Sequence, residues 1–213
     1  MVVEREAQPG RASPLARDER SGRPWLPARG EPGVVARARG RLAWPAVARI
    51  LIVGGGCRGR RLGAELAAGG HAVRITTRSE VRRAEIESAG AECWIGTPAR
   101  LSTLRGALDG ATLACWMLAR ASGEPEELSA LHGRLLESFV RQVIDTTVRG
   151  LIYDTSSQAS EQRVLLRTGA EIVESLAAFN AIPAKVLAPP RDDDESWIAS
   201  ARNAVEELLG ERV

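Results

Sequence analysis

The segment Gly54-Gly55-Gly56-Cys57-Arg58-Gly59 sets three glycines at the spacing G-x-G-x-x-G, and Gly63 follows four residues on. That spacing has a chemical use. Gly54 allows a tight turn, Gly56 lets a pyrophosphate approach the backbone, and Gly59, with Gly63, lets a helix pack closely on a strand. A helix opening at such a turn aims unpaired N–H groups and partial positive charge at the phosphates of a dinucleotide. The hexamer must therefore leave a strand and open a helix. Ala48-Arg49-Ile50-Leu51-Ile52-Val53 precedes it, a β-branched run suited to a buried parallel strand. Residues 60–68 follow, with Leu62 and Leu66 on one helical face. The competing reading is an ordinary strand–helix turn rich in glycine.

The tip of the second strand should choose the dinucleotide. Sites for NAD or FAD usually carry Asp or Glu about 20 residues past the glycines, bonded to the ribose hydroxyls. Here the chain reads Arg74-Ile75-Thr76-Thr77-Arg78-Ser79, with no acid. Arg78 is placed to form a charge-assisted fork with a 2′-phosphate. Arg58 is expected to reach the same phosphate from within the glycine turn, and Thr77 and Ser79 offer hydroxyls. The cofactor expected is NADP rather than NAD.

These residues need a scaffold, and the rest of the chain supplies one. Strands are expected at residues 48–53, 72–77, 92–95, 112–118, 150–154 and 184–187. Helices are expected at 60–68, 79–89, 101–108, 126–144, 161–179 and 197–209. Alternation of this kind implies a three-layer, doubly wound parallel α/β sheet. Right-handed crossovers make 3-2-1-4-5-6 the natural strand order. The sixth strand and its helix are expected to reach the end of these 213 residues, with no separate substrate domain expected among them.

Composition bounds the alternatives. Of 213 residues, 44% are hydrophobic but only 4% aromatic, so the core must be aliphatic. No run approaches the ~18 apolar residues of a membrane span. Cys57, Cys93 and Cys115 form no CxxC pair, and two histidines cannot complete a metal cluster with them. Net charge is +2, unevenly spread: residues 1–49 hold ten Arg and five acidic residues. Residues 1–46, rich in Arg, Pro and Gly, show no helical or strand period and read as a mostly disordered tail. The origin expected for it is a misassigned start codon, with an Arg-rich targeting peptide or a basic binding tail as the alternative. Residues 47–213 form the nucleotide-binding domain. The expected location is cytoplasmic, without nucleic-acid or membrane partners.

From the glycine turn onward the chain resembles the atypical, extended-type short-chain dehydrogenase/reductases and NAD(P)-dependent epimerase-like proteins of the Rossmann class. The resemblance rests on Gly96-Thr97-Pro98-Ala99-Arg100-Leu101-Ser102-Thr103-Leu104, on Leu151-Ile152-Tyr153-Asp154-Thr155-Ser156-Ser157, and on the run from Ala170-Glu171 through Ile182-Pro183 to Leu187-Ala188-Pro189. It implies cofactor contacts from Gly54, Gly56, Arg58, Gly59, Thr77, Arg78, Thr97 and Leu118. It also implies a catalytic role for Ser156 or Ser157.

The departures are as informative. Thr97 stands where the family has Asp. The Tyr-x-x-x-Lys dyad is missing: alignment on Ala170-Glu171 puts Arg163 at the Tyr position and Arg167 at the Lys position. Arginine stays protonated and cannot relay a proton. The only tyrosine, Tyr153, falls inside the fifth strand, and the only lysine, Lys185, in the sixth. Two functions follow. One is an NADP(H)-dependent oxidoreductase acting on a small carbonyl or hydroxyl substrate with an unusual acid. The other is a noncatalytic NADP-sensing regulatory or protein-interaction module similar to the nitrogen-metabolite-repression regulators. A homodimer suits either. His132 is expected to be a helix-surface or packing residue, and Asp192-Asp193-Asp194-Glu195 a loop favouring the next helix's N-terminus.

Overall fold

The computed structural model describes residues 47–157, 159–160, 162–188 and 193–210. The expected tail, together with Glu161, Pro189 and Asp192, lies outside the described residues. Six parallel strands are present: β1 Arg49–Val53, β2 Ala72–Thr77, β3 Glu92–Ile95, β4 Leu113–Trp116, β5 Gly150–Asp154 and β6 Ala184–Leu187. They form one sheet in the order β3-β2-β1-β4-β5-β6, as expected. The register pairs Val53 with Thr76 on one side and with Trp116 on the other, and Trp116 with Tyr153. The carboxyl ends of four strands thus lie level beside the glycine turn.

Alternation along each strand sends side chains into two cores. Ile50, Ile52, Ile75, Cys115 and Ile152 meet helices α1 (Cys57–Ala68), α2 (Arg83–Ser88) and α6 (Asp194–Gly210). Leu51, Val53, Ala114, Trp116 and Tyr153 meet α4 (Arg134–Ile144) and α5 (Gln162–Phe179). Both faces are covered, which is why these strands read as continuous apolar runs. Each fully buried Ile or Leu contributes roughly 1.5–3 kcal/mol relative to exposure.

Three helices depart from expectation. The long helix is two, α3 (Pro125–His132) and α4, separated by Gly133 at φ −114°, ψ −110°. Glu124 and Glu127 form a capping box at the start of α3. At the other end of α3, His132 turns inward and is 2% exposed. The segment 101–108 makes two short 3₁₀ turns, Leu101–Thr103 and Gly106–Leu108. Arg74, buried at 6% exposure, holds the second of them: its Nη1 donates to the carbonyls of Gly106, Ala107 and Asp109 at 3.2, 2.8 and 3.3 Å. The guanidinium satisfies carbonyls that have no backbone partner where a helical segment ends. The segment 79–89 is likewise a 3₁₀ turn, Glu80–Arg82, followed by α2.

Candidate dinucleotide site

The glycine turn joins β1 to α1, and α1 begins at Cys57, three residues earlier than expected. Gly54 has φ +130°, and a Cβ there would lie 2.6 Å from the Met117 carbonyl oxygen. The tight turn therefore requires glycine. Its N–H donates to Thr76 Oγ1 at 3.3 Å, which ties the turn to β2. Gly59 lies against the turn itself: a Cβ would fall 1.9 Å from the Gly54 carbonyl oxygen. Gly56 is different. It is the N-cap of α1 at φ −70°, and a Cβ there would meet nothing within 4 Å. No side chain caps this helix and no acid occupies its first turn. The opening beside Gly56 thus faces backbone donors and the positive end of a helix dipole.

The other expected contacts lie on the same edge. Thr77 ends β2 and is 7% exposed. Its hydroxyl accepts the Ser79 N–H at 3.2 Å, shaping the turn from which Arg78 projects into solvent. Thr97 follows β3, next to Gly96, whose N–H donates to the Thr77 carbonyl at 2.9 Å. Leu118, just past β4, places Cδ2 3.2 Å from where a Cβ on Gly54 would be. Arg60, bonded to the Gly55 carbonyl at 3.0 Å and paired with Glu85 at 3.2 Å, stands beside the turn.

Arg58 does not join Arg78. Its Nη1 donates to Ser156 Oγ at 2.9 Å and its Nε to Asp194 at 2.8 Å, while Cζ lies 5.3 Å from the centre of the Trp197 ring. The two arginines expected on one phosphate stand apart in this structure. β1 and β4 stand between β2 and β5, and the guanidinium has gone to the β5 side.

Ser156 is held on both sides. It accepts from Arg58, and its hydroxyl and N–H donate to Asp154 Oδ1 at 2.5 and 2.9 Å. Trp197 Nε1 donates to the same oxygen at 3.1 Å. Asp154 is 2% exposed. Burial pushes its carboxyl above the usual range, while the bonds from Ser156 and Trp197 and the nearby Arg58 charge pull the other way. Arg58 holds Asp194 below its ordinary value. Ser157 points elsewhere, bonding Gln162 at 2.8 Å. Sequence reasoning missed Trp197 as a partner. Its one local signal is a large aromatic two residues after a run of four acids.

Tyr153 is fully buried and lies 2.8 Å from His132 Nδ1. The imidazole also bonds the Leu118 backbone, and burial lowers its pKa from 6.5 to about 4. Burial likewise pushes the Tyr153 hydroxyl well above its ordinary value. A depressed folded-state pKa means the unfolded chain takes the proton first as pH falls. Stability from this group is therefore complete above about pH 6.5 and is lost on acidification toward pH 4. Between pH 7.5 and 5 the loss should be about 2 kcal/mol. The raised carboxyl of Asp154 acts oppositely, since its contribution fades as pH rises. Urea unfolding at both pH values, on the parent and His132→Asn, separates the two: the variant should lose less on acidification.

Comparison with known proteins finds no family model that matches the chain. No curated protein matches it either. Its fold does match solved structures. A short-chain dehydrogenase/reductase superfamily protein of Agrobacterium tumefaciens with bound NAD is 16% identical at a TM-score of 0.55, over 78% of this chain and 63% of that one. Vestitone reductase of alfalfa is 14% identical at 0.54, over 67% and 56%. UDP-glucose 4-epimerase of Thermotoga maritima is 14% identical at 0.56, over 66% and 57%. The matched region spans 56–63% of the length of these structures. The chain has the Rossmann fold in the form found among short-chain dehydrogenase/reductases and epimerases.

Proposed function

We propose that this protein binds a nicotinamide dinucleotide, NADP(H) in preference to NAD(H), and serves as a cofactor-responsive module rather than a dehydrogenase. The observation that carries the binding is the open space at Gly56, bordered by the uncapped N-terminus of α1. The residues present fit the group. The first-turn N–H groups of α1 would hold the pyrophosphate, and Arg78 would fork onto a 2′-phosphate; the nearest acid after β2, Glu80, is engaged by Arg83. Thr97 and Leu118 would flank the adenosine side and the turn. When bound, a nicotinamide supplies hydride-transfer chemistry.

The chain's own residues are poorly set to add a proton to that chemistry. Ser156 is spent between Arg58 and Asp154, and Tyr153 is enclosed with His132. Arg163 and Arg167, at the dyad positions, are exposed on α5, and Arg167 lies 3.9 Å from Glu171. An oxidoreductase remains the second reading, favoured by the position of Ser156 at the carboxyl edge where ligands of such sheets bind. A screen of NADPH oxidation over a carbonyl panel decides between them. Binding without turnover is expected. Turnover that falls in Ser156→Ala would establish the oxidoreductase instead.

A further inference from the structure

Dinucleotide binding alone does not require the path that Arg58 takes. Arg58 is the second residue of α1, so its backbone belongs to the β1 half of the sheet. Its side chain leaves that half, ending on Ser156 after β5 and on Asp194 and Trp197 in the first turn of α6. The guanidinium side chain is only 11% exposed. In a 3-2-1-4-5-6 sheet the order reverses between β1 and β4, and a dinucleotide lies across that point with one nucleotide over each half. Arg58 crosses the same boundary along the carboxyl edge. It lies where the second nucleotide would pass.

Resting on the binding proposed above, we infer that Arg58 is a bolt over the nicotinamide half of the site. The protein then holds its ligand through the adenosine and its phosphates. The nicotinamide half adds affinity only when the guanidinium leaves Ser156 and Asp194. The two ends of the bolt differ. Ser156 and Trp197 are buried at 9% and 0% exposure, whereas Asp194 is 54% exposed and opens α6. Asp194 is the accessible handle. Neutralising it loosens Arg58 without emptying the core, and release of the bolt frees the first turn of α6. Occupancy by the whole dinucleotide, unlike occupancy by its adenosine half, is thereby coupled to that turn.

The test is calorimetric titration of NADP⁺ and of adenosine 2′,5′-bisphosphate into the parent, Arg58→Ala and Asp194→Asn. The parent should bind the two ligands within about threefold of each other, and in both variants NADP⁺ should gain on the half-ligand by about tenfold or more. A parent that already prefers NADP⁺ by more than about tenfold overturns the bolt, as does a preference unchanged in both variants. Equal weakening of both ligands in Arg58→Ala also overturns it, since Arg58 is then a phosphate ligand. Asp194→Asn keeps the question answerable if Arg58→Ala fails to fold. Failure of the parent to bind either ligand sinks the dinucleotide reading and the bolt with it. Half-ligand binding with a strong NADP⁺ preference sinks the bolt alone.

Discussion

Gly56→Val is expected to weaken dinucleotide binding by more than about 100-fold while the domain stays folded. The backbone at Gly56 has φ −70°, which any residue adopts, so conformation is not the obstacle. Space is. A Cβ there touches no protein atom within 4 Å, so two methyls would extend into the opening that the pyrophosphate must enter. Exchange of glycine for valine at an N-cap costs up to about 1 kcal/mol. Melting temperature should therefore fall by only about 2–4 °C. Circular dichroism reports the fold and NADPH fluorescence the binding. Undiminished binding would show that the phosphates lie elsewhere.

Gly59→Ala should produce the opposite division. The added Cβ would fall 1.9 Å from the Gly54 carbonyl oxygen, a backbone atom that no rotamer change can move. Gly54 cannot yield easily either, since its own φ of +130° fixes the turn against Met117. The α1 N-terminus must lift away from the turn, and the substitution should cost about 3 kcal/mol or more. Urea unfolding at neutral pH measures this directly. Binding would fall as well, but as a consequence of the displaced helix. Two glycines three residues apart thus separate the roles of the motif, one in ligand space and one in packing.

How far these features were legible depends on the range of the interaction behind each. The central strands were legible because they are buried on both faces, so that runs such as Ile50–Val53 are continuously apolar. The order of the sheet followed from right-handed crossovers. The roles of Gly54 and Gly59 were legible because the turn fixes them locally. Helix 126–144 misled because Leu128, Leu131, Leu135, Phe139 and Val143 keep one period across Gly133, where the chain breaks as His132 turns in to Tyr153. Segment 101–108 forms two 3₁₀ turns, and the second is held by Arg74 from β2, a contact distant in sequence. The path of Arg58 to the β5 side was not legible for the same kind of reason. Its partners Ser156 and Asp194 are 98 and 136 residues away in sequence, and no local pattern announces them.

Cofactor choice is the central claim, and it rests on Arg78 standing exposed at the end of β2, where no acid occupies residues 74–79 and the next one, Glu80, pairs with Arg83. The most direct measurement is calorimetric titration of NADP⁺ and NAD⁺ into the parent and into Arg78→Asp. The parent should bind NADP⁺ more tightly by about tenfold or more, the worth of one charge-assisted fork. Arg78→Asp should lose most of that advantage, because a carboxylate repels the 2′-phosphate and accepts from ribose hydroxyls instead. Equal or tighter binding of NAD⁺ by the parent would contradict the assignment.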